Sequence, residues 1–101
     1  MYKIDFIFSK KSFMKYLSHL DLMRLFYRAL RRAELPLKIT EGFNPRPKLS
    51  IRRALKLGLE SEQEEAGVLL REAVDPDDFK ARLQRQLPEG LEIRSARLTI
   101  R

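Results

Sequence analysis

The chain has 101 residues, no cysteine, one histidine, and 21 Lys+Arg against 14 Asp+Glu, for a net charge of +7. That length predicts one domain able to bury a core without staples. The missing cysteines exclude a disulfide, a thiolate-held cluster and a thiol nucleophile. With no signal-peptide core in "MYKIDFIFSKK" and no apolar run near the ~20 residues of a membrane span, the expectation is a soluble cytoplasmic protein.

In chain order, "YKIDFIFS" (Tyr2–Ser9) alternates, with Ile4, Phe6 and Phe8 on one side, and reads as a half-buried strand. "KKSFMKY" is a basic loop carrying aromatics. Ser18 is a natural N-cap, and Asp21 three positions later makes a capping box with Asp in place of Glu. Leu17 and Leu22 have the spacing of a hydrophobic staple. A helix therefore starts at "SHLD" and ends near Ala33, ahead of Pro36. On a helical wheel Leu22, Phe26, Ala29, Leu30 and Ala33 share one face. Arg24, Arg28 and Arg31 fall on the opposite face, with Arg32 at its border.

"LKIT" (Leu37–Thr40) reads as a short second strand and "EGFNPRPK" as a stiff loop. "LSIRRALKLGL" alternates through Leu49, Ile51, Leu55, Leu57 and Leu59, with Arg53 breaking the apolar face. "ESEQEE" reads as a charged turn and "AGVLLREAV" (Ala66–Val74) as another strand. Asp75 caps a second helix, Pro76 takes its first position, and Asp77 and Asp78 sit at the positive end of its dipole. Val74 and Phe79 can staple it. It runs to about Leu87, where "PEG" stops it, and "LEIRSARLTI" (Leu91–Ile100) is the last strand.

The order strand, helix, strand, strand, helix, strand predicts an α+β single domain over residues 1–101. Its architecture is the ferredoxin-like split βαβ sandwich, βαββαβ with an elongated or extra middle strand and two helices on one face of the sheet. Taken with "LKIT" as the second strand, this topology brings "SKK", "SHLD" and "EGFNPRP" to one edge. Lys10, His19, Asn44 and Arg46 are then expected as neighbours.

The charge is uneven. Residues 1–56 hold 14 Lys+Arg and 4 Asp+Glu (+10), and residues 57–101 hold 7 and 10 (−3). A basic half beside a mildly acidic one makes a directional field suited to a polyanion, although a solvated basic surface gives the same composition.

The stretch "LSHLDLMR" with "RALRRA", "LPL" and "GFNPRP" resembles the radical SAM-linked protein family, a domain of unknown function fused to or encoded beside cobalamin-binding-type radical SAM proteins. The resemblance runs from about Tyr2 to Ile93. It carries over to Ser18, His19, Asp21 and Arg24, and to Gly42, Phe43, Asn44, Pro45 and Pro47. This chain departs at "IRRALKLG", where many relatives have an apolar, proline-containing stretch, and many relatives continue further at the C-terminus. Gene neighbourhoods of such relatives imply RNA or ribosome maturation and a radical SAM partner. Radical SAM chemistry needs cysteines to hold its cluster, so a chain without cysteine can only be the accessory.

Three motifs carry candidate function. Arg24, Arg28 and Arg31 lie along one helical stripe, and arginine forks match phosphate oxygens. With Lys10, Lys11 and Lys15 they could follow a nucleic-acid backbone, form a solvated outer face, or pair with an acidic partner protein. In "GFNPRP", Gly42 permits positive φ and Pro45 and Pro47 stiffen the loop. Phe43 could then stack on a base and Arg46 clamp a phosphate, or Phe43 could tuck into the core. His19 either packs locally, binds at the convergent edge, or serves as the general acid or base of a metal-independent ribonuclease. One histidine and scattered carboxylates do not make a metal site. The leading expectation is a non-catalytic accessory domain of a radical SAM enzyme that binds tRNA or rRNA, with no cofactor of its own. The alternatives are a docking module without RNA contact and a ribonuclease using His19.

Overall fold

The computed structural model describes residues 1–52 and 59–100. Its elements are β1 (Tyr2–Lys10), α1 (His19–Arg32), β2 (Leu49–Ile51), β3 (Ser61–Leu70), α2 (Pro76–Gln84) and β4 (Leu91–Ile100), with a 3₁₀ turn at Ser12–Tyr16. The four strands form one sheet in the order β2-β3-β1-β4, and each neighbouring pair is antiparallel. Both helices cover one face of this sheet, and the arrangement is ferredoxin-like.

Alternation in β1 sends Ile4, Phe6 and Phe8 to the helix side, where each is at most 1% exposed. Phe6 and Phe8 meet Phe26 of α1 at ring-centroid distances of 5.8 and 4.9 Å, and Phe6 meets Phe79 of α2 at 5.5 Å. These tilted rings sit within the separations that favour aromatic pairs. One cluster thus joins both helices to the central strand.

Local chemistry sets the helix starts. Ser18 Oγ accepts from Asp21 N at 3.1 Å, and Asp75 Oδ2 accepts from Asp78 N at 3.2 Å. Buried Leu22, with Leu17 packed on the core, and buried Val74 and Phe79 provide the two staples. α1 stops where expected: Ala33 is its C-cap and Glu34 turns left-handed at φ 57°. α2 closes at Arg85, shorter than the run to Leu87, and Gln86 and Leu87 continue only in turns.

The strands depart further from expectation. Leu37–Thr40 is not a sheet strand; it contributes only isolated bridges, Leu37 to Leu70 and Ile39 to Pro47. The second strand is Leu49–Ile51. The expected continuation through Arg53, Leu55 and Leu57 lies outside the described residues. "ESEQEE" is not a turn: β3 begins at Ser61 and ends at Leu70, short of Val74. Its acidic half pairs with the end of β1 (Phe8 with Glu64, Lys10 with Ser61). Cross-strand cations make that possible, with Lys11 Nζ 2.7 Å from Glu62 and Arg52 Nη1 2.9 Å from Glu65.

Candidate nucleic-acid interface

α1 presents Arg24, Arg28, Arg31 and Arg32 to solvent while Leu22, Phe26, Ala29 and Leu30 are buried. Its 14 residues span about 20 Å. Arg24 Nη1 lies 3.9 Å from Asp21, a long exposed pair that leaves the guanidinium available. Among the described residues, no ion pair within 4.0 Å involves Arg28, Arg31 or Arg32.

The loop "EGFNP" is the tip of a short ribbon. Thr40 N donates to Arg46 O (2.8 Å), Arg46 N donates to Thr40 Oγ1 (3.1 Å), and Lys48 N donates to Lys38 O (2.9 Å). Gly42 takes φ 121°, a conformation open to glycine and strained for other residues. Pro47 is buried and anchors the ribbon, whereas Phe43 is fully exposed at 104%. The core alternative for Phe43 is therefore wrong.

The ribbon is fastened to the C-terminal half of α1. Arg31 Nη2 donates to Pro45 O at 2.7 Å, and the Arg46 guanidinium lies 6.0 Å from the centroid of the Tyr27 ring. The expected gathering of Arg46 and Asn44 with His19 and Lys10 does not occur. The cause is topological. β2 is parallel to β1, so it begins beside the end of α1, and "GFNPRP" precedes β2 rather than following a strand at "LKIT". Tyr27 and Arg31 are 8 and 12 residues beyond His19, which is about 12 and 18 Å along the axis.

The basic loop candidates lie at the other end of α1. Lys10 is 5% exposed at the end of β1 and is not a surface cation. Lys11 is engaged by Glu62, whose carboxyl is held below the usual range by the hydrogen bond and charge of Lys11 and by Arg94. Lys15 Nζ sits 5.3 Å from the Tyr16 ring centroid. His19 opens α1, and no hydrogen bond or ion pair among the described residues orients it, as a general base requires. No group of three or more His, Cys, Asp or Glu among those residues is placed to hold a metal ion. Without cysteines the domain does not form a radical SAM active site.

Three cations escaped the sequence reading. Lys38, Lys48 and Arg71 line one shallow cleft with Arg31, beside the ribbon base and opposed by Glu41. Their separation in sequence hides this. The even spacing of Lys38 and Lys48 around the loop was the one available signal.

The opposite face of the sheet holds a cleft of about 590 Å³ in which acids and cations are mixed. That face carries Lys3, Asp5, Ile7, Glu65, Ser95 and Arg97, with Lys3 paired to Asp5 at 3.3 Å and Arg52 to Glu65 at 2.9 Å. The aromatics of β1 do not stand there to stack a base: Tyr2, Phe6 and Phe8 all lie on the helix side.

No helix among the described residues is long and apolar enough to cross a membrane. Among curated proteins and among solved structures, none matches the chain. The family model described as "Uncharacterized protein conserved in bacteria" (DUF2344) matches residues 3–99, and the chain belongs to that family.

Proposed function

We propose that this domain is a non-catalytic, cytoplasmic RNA-binding module that serves a radical SAM enzyme. The observation that carries the RNA half is the joining of two cationic surfaces at Arg31. This residue belongs to the exposed α1 stripe and also holds the ribbon that displays Phe43 and Arg46. A line of guanidiniums beside a projecting aromatic matches the two needs of RNA binding, phosphate contact and base stacking. The radical SAM half rests on the resemblance of "LSHLDLMR" and "GFNPRP".

Fluorescence anisotropy with labelled tRNA and rRNA fragments tests the RNA half. The wild type should bind at low salt, and an Arg24→Ala/Arg28→Ala/Arg31→Ala variant should lose most of that binding. Absence of binding by the wild type at low salt overturns the reading.

A second reading, docking to the enzyme partner without RNA contact, is favoured by Phe13, Tyr16 and Leu20. They are 82%, 58% and 56% exposed on the 3₁₀ turn and the first turn of α1. Pull-down of the partner that fails with Phe13→Ser but survives the arginine variant would support it.

A further inference from the structure

The cleft at the base of the ribbon is built from three separated parts of the chain. Arg31 comes from α1, Lys38 and Lys48 from the two sides of the ribbon, and Arg71 from the segment after β3. Four cations face a single acid, Glu41. No ion pair within 4.0 Å involves any of the four among the described residues.

Two of these cations are positioned by the backbone. Arg71 Nε donates to Leu37 O at 3.1 Å, and Arg31 Nη2 donates to Pro45 O at 2.7 Å. Each bond uses one donor and fixes the fork, leaving the remaining guanidinium N–H groups for an oxyanion. The two lysines add mobile point charges. The cleft is shallow and about 560 Å³ in volume, open along one side to solvent.

The cleft and Phe43 are close along a stiff chain. Glu41 lines the cleft, and Phe43 is two residues further, at most about 7 Å of extended backbone. An oxyanion pocket beside a fully exposed ring suits a nucleotide whose phosphate and base are both accessible. In a duplex the bases are stacked and paired inside; in a single strand they can splay onto an aromatic.

Resting on the RNA-binding reading, we infer that Arg31, Lys38, Lys48 and Arg71 form a backbone-phosphate pocket for single-stranded RNA, with the adjoining base stacked on Phe43. The α1 stripe supplies general phosphate attraction, and the pocket with Phe43 supplies the preference for unpaired strands.

The test uses the full chain and a fluorescein-labelled oligoadenylate of about 12 nucleotides, single-stranded or annealed to oligouridylate. Anisotropy is read over a salt series for wild type, Phe43→Ala and Lys38→Ala/Lys48→Ala, with circular dichroism confirming that each is folded. The wild type should prefer the single strand. Phe43→Ala should weaken single-strand binding about ten-fold and leave duplex binding unchanged. Lys38→Ala/Lys48→Ala should lower the salt slope on the single strand by about 0.7, the value for one phosphate no longer neutralised.

Equal binding of both forms, or a weakening by Phe43→Ala that is the same on both, overturns the inference while the RNA-binding reading stands. An unchanged slope in the lysine variant removes the pocket. Failure of the wild type to bind the single strand at low salt overturns the inference, and the RNA-binding reading falls with it only when the tRNA and rRNA fragments also go unbound.

Discussion

Arg82 joins α2 to the end of α1, and its removal gives a defined stability prediction. Its Nε donates to Ala33 O at 3.1 Å and its Nη2 to Glu34 O. Those carbonyls sit where α1 ends, and helix ends leave carbonyls without intrahelical donors. A third interaction, Nη1 to Asp78 at 3.4 Å, is an exposed i,i+4 pair and adds little. A hydrogen bond to a charged donor contributes about 1.5–3 kcal/mol, discounted here because the side chain is 29% exposed. Arg82→Ala should therefore cost about 2–3 kcal/mol. For a domain of this size that lowers Tm by about 10–20 °C. Arg82→Lys keeps the charge and stem but cannot fork across two carbonyls, so it should recover at most about half of the loss. Asp78→Ala is the control and should cost less than about 1 kcal/mol. Urea unfolding followed by circular dichroism measures all three. If Arg82→Ala lies within about 0.5 kcal/mol of wild type, the clamp contributes nothing and the reasoning fails.

Phe26→Ala removes the ring that α1 gives to the aromatic cluster and should cost about 3–5 kcal/mol in urea unfolding, a large part of a small domain's stability. Glu34 is left-handed at φ 57° just past α1, so Glu34→Gly should raise stability by about 0.5–1 kcal/mol in thermal melts. Glu62 has a carboxyl pKa lowered mainly by Lys11. With the folded value depressed, the Lys11–Glu62 tie is present above the ordinary glutamate pKa of about 4.3 and is lost as pH falls through the folded value. Carboxyl NMR titration should show the Glu62 midpoint below that ordinary value in wild type and restored toward it in Lys11→Ala.

Features set within a few residues were legible in the chain itself. The Ser18 and Asp75 caps, both staples and the termination of α1 before Pro36 depend on neighbours within one turn, and the structure holds them all. Strand pairing depends on distant partners, and there local composition misled. "LKIT" has strand composition, but Leu49–Ile51 pairs with β3 because its Leu49 and Ile51 register against Val68 and Ala66. That single displacement moved the "GFNPRP" loop from one end of α1 to the other. The acids of "ESEQEE" looked like a solvated tip because Lys11 and Arg52, which pair with two of them, are remote in sequence. Lys10 looked exposed, but it is buried at the end of β1. The arginine stripe needed only helical periodicity. The cleft needed the fold, since its four cations come from three separated segments.

On the proposed function, RNA lies across α1 and the ribbon rather than on the open sheet. Backbone amide shifts of labelled protein, titrated with single-stranded RNA at low salt, test this most directly. Shifts should concentrate on residues 24–31 and 41–48 and on Arg71. Shifts confined to Lys3, Asp5, Ile7 and Arg97 on the open face, with α1 silent, would contradict this placement.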